Sequence, residues 1–86
     1  MRVHSLKCWP RYFERLRSGQ KHFEFRKNDR DFQVGDELLL TEWIDPSGPF
    51  TGRWARYVVT YVLTDVEGLA SGWCVLSVTL DQWGPQ

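Results

Sequence analysis

The sequence has no long apolar run, no repeats and no leader pattern, and each absence argues against one class of protein to which the chain could belong. No stretch reaches the roughly 18 apolar residues that a transmembrane helix needs. The first residues lack the basic, apolar and small-residue regions of a secretory signal, so we expect no export signal. Internal repeats and low-complexity tracts are also missing. The chain is therefore predicted to be a single domain over residues 1–86, without a membrane partner.

Cysteine, histidine and clustered glycine are scarce, and this scarcity limits the chemistry. Cys8 and Cys74 form neither a disulfide framework nor a C-x-x-C pair. We expect both to be reduced, with Cys74 in the core, which favours a cytoplasmic protein. His4 and His22 have no acidic pattern beside them, and the glycines fall singly at turns rather than in a phosphate-binding loop. The sequence thus predicts no metal site and no cofactor.

Aromatic residues, by contrast, are abundant: five Trp, five Phe and three Tyr in 86 residues. A chain this short buries only about 60% of its unfolded surface, so each large side chain in the core matters. Exposed aromatic rings can instead stack on nucleic-acid bases. Composition alone leaves both uses open.

The net charge is zero, but the charges are unevenly distributed along the chain. Residues 1–30 contain nine basic and three acidic residues, a net charge of +6. Residues 31–86 contain two basic and eight acidic residues, a net charge of −6. Such an asymmetry is typical of a chain with an anionic partner on one side. It is equally typical of two segments that attract each other in the folded protein, and both interpretations remain open.

Hydrophobic periodicity predicts five strands and one helix. The expected strands lie near residues 2–7, 21–27, 38–44, 54–63 and 73–80, and the helix at 10–18. Pro10 suits a first helical position, and Gly19 suits the left-handed residue that follows a helix. In the longest strand, Tyr57, Val59 and Tyr61 are predicted to share a face. The order β-α-β-β-β-β predicts an α+β fold, a small β-barrel of about five strands with one short covering helix.

The strand predicted after the helix contains the most informative charges. Phe23 and Phe25 alternate with Glu24 and Arg26, so the phenylalanines are expected to anchor in the core while the other face carries charge. Lys21 is three positions from Glu24, so in a regular strand its side chain would lie on the opposite face. A bulge or a twist is needed to bring it to the same face as Glu24 and Arg26. If the three side chains converge, a carboxylate lies between two cations that stabilise its ionised form.

A carboxylate between two cations allows three interpretations. It can accept a hydrogen bond from a base edge while the cations bind phosphate or a carbonyl oxygen. It can act as a general base on water. It can also be an ion pair on a solvated strand, which contributes only about 0–1 kcal/mol to stability. In the first case, Arg11, Arg15, Lys27 and Arg30 extend a basic rim towards the phosphates.

Several short motifs together resemble one known family. They are His4-x-Leu6-Lys7, Gly19-x-Lys21-x-x-Glu24-x-Arg26, Asn28-Asp29-Arg30-Asp31-Phe32 and Val34-Gly35-Asp36. In this order and spacing they look like the ASCH domains of the PUA-like superfamily, especially its small bacterial and phage members. The resemblance extends from His4 to about Leu80, nearly the whole chain.

The resemblance implies a barrel in which Lys21, Glu24 and Arg26 line a cleft between barrel and helix. ASCH domains are proposed to bind RNA in such a cleft. Some members of similar size act as amidohydrolases on acylated cytidine, using a lysine, a threonine and a glutamate. Here Glu24 stands where those enzymes have threonine, and Asp65 or Glu67 would have to replace the distal acid. Ribonuclease activity has also been linked to the wider group.

The favoured prediction is binding of RNA or a modified nucleoside, with Lys21, Glu24 and Arg26 as the ligand-binding residues. The alternative is a metal-independent amidohydrolase acting on an N4-acylated cytidine or another modified nucleoside. Its catalytic residues would be Glu24, as the general base, and Lys21, as the oxyanion stabiliser. A ribonuclease is a less favoured form of this alternative. A protein-binding adaptor is the third hypothesis.

Overall fold

The structure is a computed structural model that describes residues 1–85. Its elements are β1 (Val3–Cys8), α1 (Pro10–Arg17), β2 (Phe23–Lys27), β3 (Glu37–Trp43), β4 (Phe50–Leu63) and β5 (Trp73–Gly84). This is the order that the periodicity predicts. β4 begins earlier and β5 ends later than expected, so these two strands form a long antiparallel pair.

One sheet contains all of these strands, in the order β1-β3-β4-β5-β2, which leaves β1 and β2 as its edges. β1 pairs with β3 in parallel, and the other neighbours are antiparallel. The two edges nevertheless meet, because Arg26 Nη2 on β2 donates a hydrogen bond to the Lys7 carbonyl oxygen on β1 over 2.9 Å. The sheet is therefore a curled half-barrel, and the line along which β1 faces β2 is here called the seam. A small α+β, barrel-like fold with one short helix is confirmed.

Helix α1 packs its apolar stripe against the inside of the sheet. Pro10 occupies the first turn, where a backbone N–H has no partner within the helix, so the proline costs no helical hydrogen bond. Phe13 and Leu16 are buried, and Gly19 follows the helix with a left-handed φ of +83°, as predicted. Within residues 1–85, no helix has the length and apolar character needed to cross a bilayer.

The core lies between α1 and the concave face of the sheet. Its strand residues are Leu6, Cys8, Leu38, Leu40, Ala55, Tyr57, Val59, Cys74, Leu76 and Val78. Both cysteines are free thiols and both are buried, Cys74 as predicted. Phe32, from the loop after β2, completes the core and packs edge-on against His4 with ring centroids 4.8 Å apart.

A β-bulge changes the predicted faces of β4. Val59 pairs with Val78 and Tyr61 pairs with the adjacent Ser77, so β4 has one extra residue at Thr60. An extra residue shifts the alternation of the side chains that follow it. Val59 is buried whereas Tyr61 is 58% exposed, so the prediction that these two residues share a face is wrong.

Candidate functional site

A cleft with a cavity volume of about 550 Å³ opens along the seam between β1 and β2. Pockets that hold small ligands typically measure about 300–1,000 Å³. Six of the lining residues are aromatic, five are basic and two are acidic. A lining of rings and cations suits a flat ligand that carries negative charge.

Glu24 lies in this cleft between two cations. Its Oε1 is 3.3 Å from Lys21 Nζ, and its Oε2 is 2.8 Å from Arg26 Nε. The Glu24 side chain is only 6% exposed. A buried carboxylate is costly unless it is paired, so the two cations are what permits Glu24 to occupy the inner face of an edge strand. The structure thus brings together the three side chains that the sequence singles out.

Lys21 reaches Glu24 from the turn before β2 rather than from the strand itself. Gly19 reverses the chain after α1, and the Lys21 N–H donates a hydrogen bond to the Arg15 carbonyl oxygen over 2.9 Å. β2 begins at Phe23, two residues later. Lys21 therefore lies outside the strand, where side chains no longer alternate between the two faces. The turn directs its side chain to the same side as Glu24.

The two faces of β2 are the reverse of the prediction. Phe23 and Phe25 are 45% and 56% exposed, whereas Glu24 is 4% exposed. The expectation that the phenylalanines anchor in the core is wrong. The physical reason is that Lys21 and Arg26 neutralise the inward carboxylate, while the outward side of this edge strand has no further layer to cover its rings.

Exposed aromatic rings stand beside these charges. The Phe25 and Trp73 ring centroids are 5.2 Å apart, with an angle of 32° between the planes. Lys21 Nζ lies 4.8 Å from the ring centroid of Tyr12 and 5.1 Å from that of Phe23. All four rings line the cleft, and each is at least 36% exposed. Exposed apolar surface next to charged groups is typical of a binding site.

The predicted basic rim divides into two pairs. Lys27 and Arg30 line the cleft. Arg11 and Arg15 do not, because α1 turns its apolar stripe to the core and places them on the outer side of the helix. The guanidinium carbon of Arg11 lies 4.7 Å from the ring centroid of Tyr12, so Arg11 borders the cleft only through that ring.

Sequence reasoning missed the contribution of β1 to the cleft. Lys7 and Cys8 both line it, and the Lys7 carbonyl oxygen holds Arg26 in place. Burial and the charge of Glu24 raise the pKa of the Cys8 thiol to about 12. Cys8 is therefore protonated near neutral pH and is not poised as a nucleophile.

His4 and Asp36 form a buried brace beside the cleft. Asp36 Oδ2 lies 2.9 Å from His4 Nε2, and the carboxylate also accepts main-chain N–H bonds from Gln33 at 3.1 Å and Arg2 at 3.3 Å. Burial raises the pKa of the Asp36 carboxyl, but these hydrogen bonds outweigh that effect and lower it to about 2. The brace ties β1 to the turn before β3.

Within residues 1–85, no group of three or more His, Cys, Asp or Glu side chains is arranged to hold a metal ion. Asp65 and Glu67, the suggested distal acids, lie in the loop between β4 and β5 and do not line the cleft. Asp29, from the loop after β2, is the acidic residue that accompanies Glu24 in the lining.

Comparison with known proteins relates the chain to a phage protein and to one domain family. The Escherichia phage P2 protein described as "Uncharacterized 12.9 kDa protein in GpA 3'region" is 42% identical over 69 residues. These residues are 80% of this chain and 58% of the phage protein, so the chain spans less than two thirds of that relative's length. A family described as a domain of unknown function, DUF3850, matches residues 3–78. This match covers β1 to β4, the helix and the first half of β5, and the chain therefore belongs to the DUF3850 family.

Proposed function

We propose that the chain binds RNA or a modified nucleoside in the cleft along the seam. The observation that carries this proposal is the buried Glu24 carboxylate held between Lys21 and Arg26, beside exposed aromatic rings. In this arrangement the carboxylate accepts a hydrogen bond from a base, and the rings offer it a stacking surface. The cations meet carbonyl or phosphate oxygens.

The distribution of ion pairs supports an anionic ligand. Of the nine basic residues in positions 1–30, only Arg2 forms an ion pair with an acidic residue from positions 31–85. Lys21 and Arg26 pair with Glu24, which belongs to their own segment. Direct ion pairs between the two segments therefore engage few of these nine basic residues. The basic residues at the cleft are left with N–H groups for phosphate.

We further propose that the fold is of the ASCH type within the PUA-like superfamily. The Lys-x-x-Glu-x-Arg segment lines a cleft at the edge of a curled sheet next to a short helix, which is the arrangement that the sequence resemblance implies. The two free, buried thiols fit a reducing compartment such as the cytoplasm.

Titration of the protein with short, dye-labelled single-stranded RNA at low salt, followed by fluorescence anisotropy, tests the binding proposal. We expect saturable binding that weakens with added salt, and a loss of about tenfold in affinity for Lys21→Gln, which removes a charge-assisted hydrogen bond. Arg15→Gln is the matched control, because Arg15 lies outside the cleft. The proposal is contradicted if no RNA binds, or if binding is indifferent to both salt and Lys21→Gln.

A second candidate function is hydrolysis of an N4-acyl group from a modified cytidine. Its support is the placement of a lysine ammonium beside a carboxylate inside a cleft large enough for a base. Glu24 would take a proton from the attacking water while Lys21 stabilises the oxyanion, and the products would be cytidine and the free acid. Glu24 stands where the acylated-cytidine hydrolases that the sequence resembles have a threonine, and this difference favours binding over hydrolysis. Release of acetate from N4-acetylcytidine, abolished by Glu24→Gln, is the result that this candidate requires.

A further inference from the structure

We infer that the base recognised in this cleft is of the uracil type, read through the cyclic imide edge formed by O2, N3–H and O4. The inference rests on the proposed function and specifies its ligand. It follows from the order of donors and acceptors along the Lys21, Glu24 and Arg26 cluster.

The cluster presents a donor, an acceptor and a donor in that order. Lys21 approaches Oε1 of Glu24 and Arg26 approaches Oε2, so the carboxylate lies between the cations. Lys21 donates one hydrogen bond here, and Arg26 donates two, one to Glu24 and one to the Lys7 carbonyl oxygen. Both cations have N–H groups left over, and each carboxylate oxygen has a further lone-pair direction. The cluster can therefore meet a ligand without breaking its own bonds.

Only one type of common base edge is complementary to this order at all three positions. Uracil and thymine present an acceptor, a donor and an acceptor, so N3–H faces the carboxylate while the two carbonyl oxygens face the cations. Cytosine and adenine place a ring-nitrogen lone pair at the central position, where it would face Glu24. Guanine offers O6 and N1–H correctly but turns its amino group towards a cation. A mismatch in a desolvated hydrogen-bonding site is penalised strongly, because it leaves buried groups unpaired.

The surroundings suit a base rather than a non-planar imide. Tyr12, Phe23, Phe25 and Trp73 leave aromatic surface exposed along the cleft, and a pyrimidine can stack on such a surface. Lys27 and Arg30 line the same cleft and can supply cations to a phosphate attached to the nucleoside. The uracil-type base can belong to an RNA strand or to a free nucleoside, since the recognised edge is the same.

Isothermal titration of the unaltered full chain at low salt tests this inference. The ligands are hexamers of uridine, of cytidine and of 3-methyluridine, together with the uridine nucleoside. We expect the uridine hexamer to bind about tenfold or more tightly than the cytidine hexamer, the size of one good base contact. Methylation of N3 removes the donor that faces Glu24, so it should abolish that preference. Binding of uridine itself would identify a nucleoside site, and binding of the hexamer alone would identify a strand site.

The outcomes separate this inference from the proposed function. Equal affinity for the uridine and cytidine hexamers, or preference for cytidine, overturns the uracil assignment and leaves RNA binding intact. Binding of none of the ligands overturns both. Insensitivity to N3-methylation also overturns the assignment, and this comparison uses the unaltered protein, so it does not depend on the folding of a variant.

A protein variant provides a second, independent test of the uracil assignment. Glu24→Gln replaces the carboxylate with an amide that presents both a donor and an acceptor, so the preference for uridine over cytidine should fall to about twofold or less. Thr51→Val is the matched control, because its hydroxyl bonds to Glu42, a buried acid outside the cleft. A Glu24→Gln protein that folds and retains the full preference contradicts the assigned role of the carboxylate.

Discussion

Arg26 and Lys7 lie on opposite edges of the sheet, and the Arg26 guanidinium donates a hydrogen bond to the Lys7 carbonyl oxygen over 2.9 Å. The same guanidinium holds Glu24 through Nε at 2.8 Å. One side chain therefore links the two edge strands and also orients the carboxylate in the cleft. The geometry of the site and the closure of the half-barrel consequently depend on the same residue.

Arg26→Lys should destabilise the protein while preserving its charge. A lysine ammonium cannot reproduce both directions of the guanidinium fork, so either the Glu24 or the Lys7 contact is lost. We expect the free energy of unfolding to fall by about 1–2 kcal/mol, measured by urea denaturation. Arg15→Lys, on the exposed face of α1, is the matched control and should change it by less than about 0.5 kcal/mol. Equal stability of the two variants would show that the seam does not depend on Arg26.

Asp36 should make the protein sensitive to acid in a defined range. Its pKa is lowered from the ordinary 3.8 to about 2 in the folded protein. Because the folded state then binds this proton more weakly than the unfolded chain, the stabilisation is complete above about pH 4 and is lost as the pH falls through about 2. Urea unfolding of the unaltered protein at stepped pH should show this loss.

Asp36→Asn identifies the group responsible. The variant should be less stable at neutral pH, since an amide cannot accept the same set of hydrogen bonds, and its stability should vary less between about pH 4 and pH 2. Asp81→Asn, at an exposed position of β5, is the matched control and should keep the acid dependence. An unchanged acid dependence in Asp36→Asn would place the titrating group elsewhere.

The two thiols should be unreactive in the folded protein. Burial raises the pKa of Cys74 as well as that of Cys8, so both thiols hold their protons more tightly than a free cysteine does. Ellman's reagent should label neither cysteine in buffer and both after denaturation in urea. Fast labelling of Cys8 in the native state would contradict the buried, protonated thiol described for the cleft.

The salt dependence of RNA binding should report which cations touch phosphate. For single strands, the slope of log affinity against log salt is about −0.7 per phosphate contact. Lys27→Ala should therefore make the slope shallower by about 0.7, because Lys27 lines the cleft. Arg11→Ala should leave it unchanged, since the Arg11 guanidinium lies over Tyr12 rather than in the cleft. The opposite pattern would move the phosphate path to the outer face of α1.

The element order and the ends of α1 were predictable because local chemistry determines them. Pro10 and Gly19 act through their own backbone preferences, and Phe13 and Leu16 recur at helical spacing. The pairing of one carboxylate with two cations was also predictable, since Lys21, Glu24 and Arg26 lie close together along the chain.

The faces of β2 were not predictable from alternation alone. Which side of an edge strand is buried depends on partners that are distant in sequence, such as the Lys7 carbonyl oxygen that holds Arg26. Hydrophobicity argues for burying Phe23 and Phe25, but the cations make burial of Glu24 acceptable instead. The outward position of Tyr61 follows from a bulge, which the sequence does not mark.

The exposure of the Trp73 ring could not be predicted from the sequence for a related reason. A tryptophan at the start of a strand usually packs in a core, and only the neighbouring position of Phe25 across the β2–β5 pair shows that the two rings form an exposed surface. The brace between His4 and Asp36 likewise joins positions that are 32 residues apart in sequence.

The most direct test of the central claim is an NMR titration of isotopically labelled protein with short single-stranded RNA. We predict shifts of the amide signals of Lys21, Glu24 and Arg26 and of the Trp73 indole N–H, all of which belong to cleft residues. The Trp54 indole, which packs against Gly84 outside the cleft, should not move. Absence of any shift, or shifts centred on Trp54 with the cleft signals unchanged, would contradict the assignment of the cleft as the binding site.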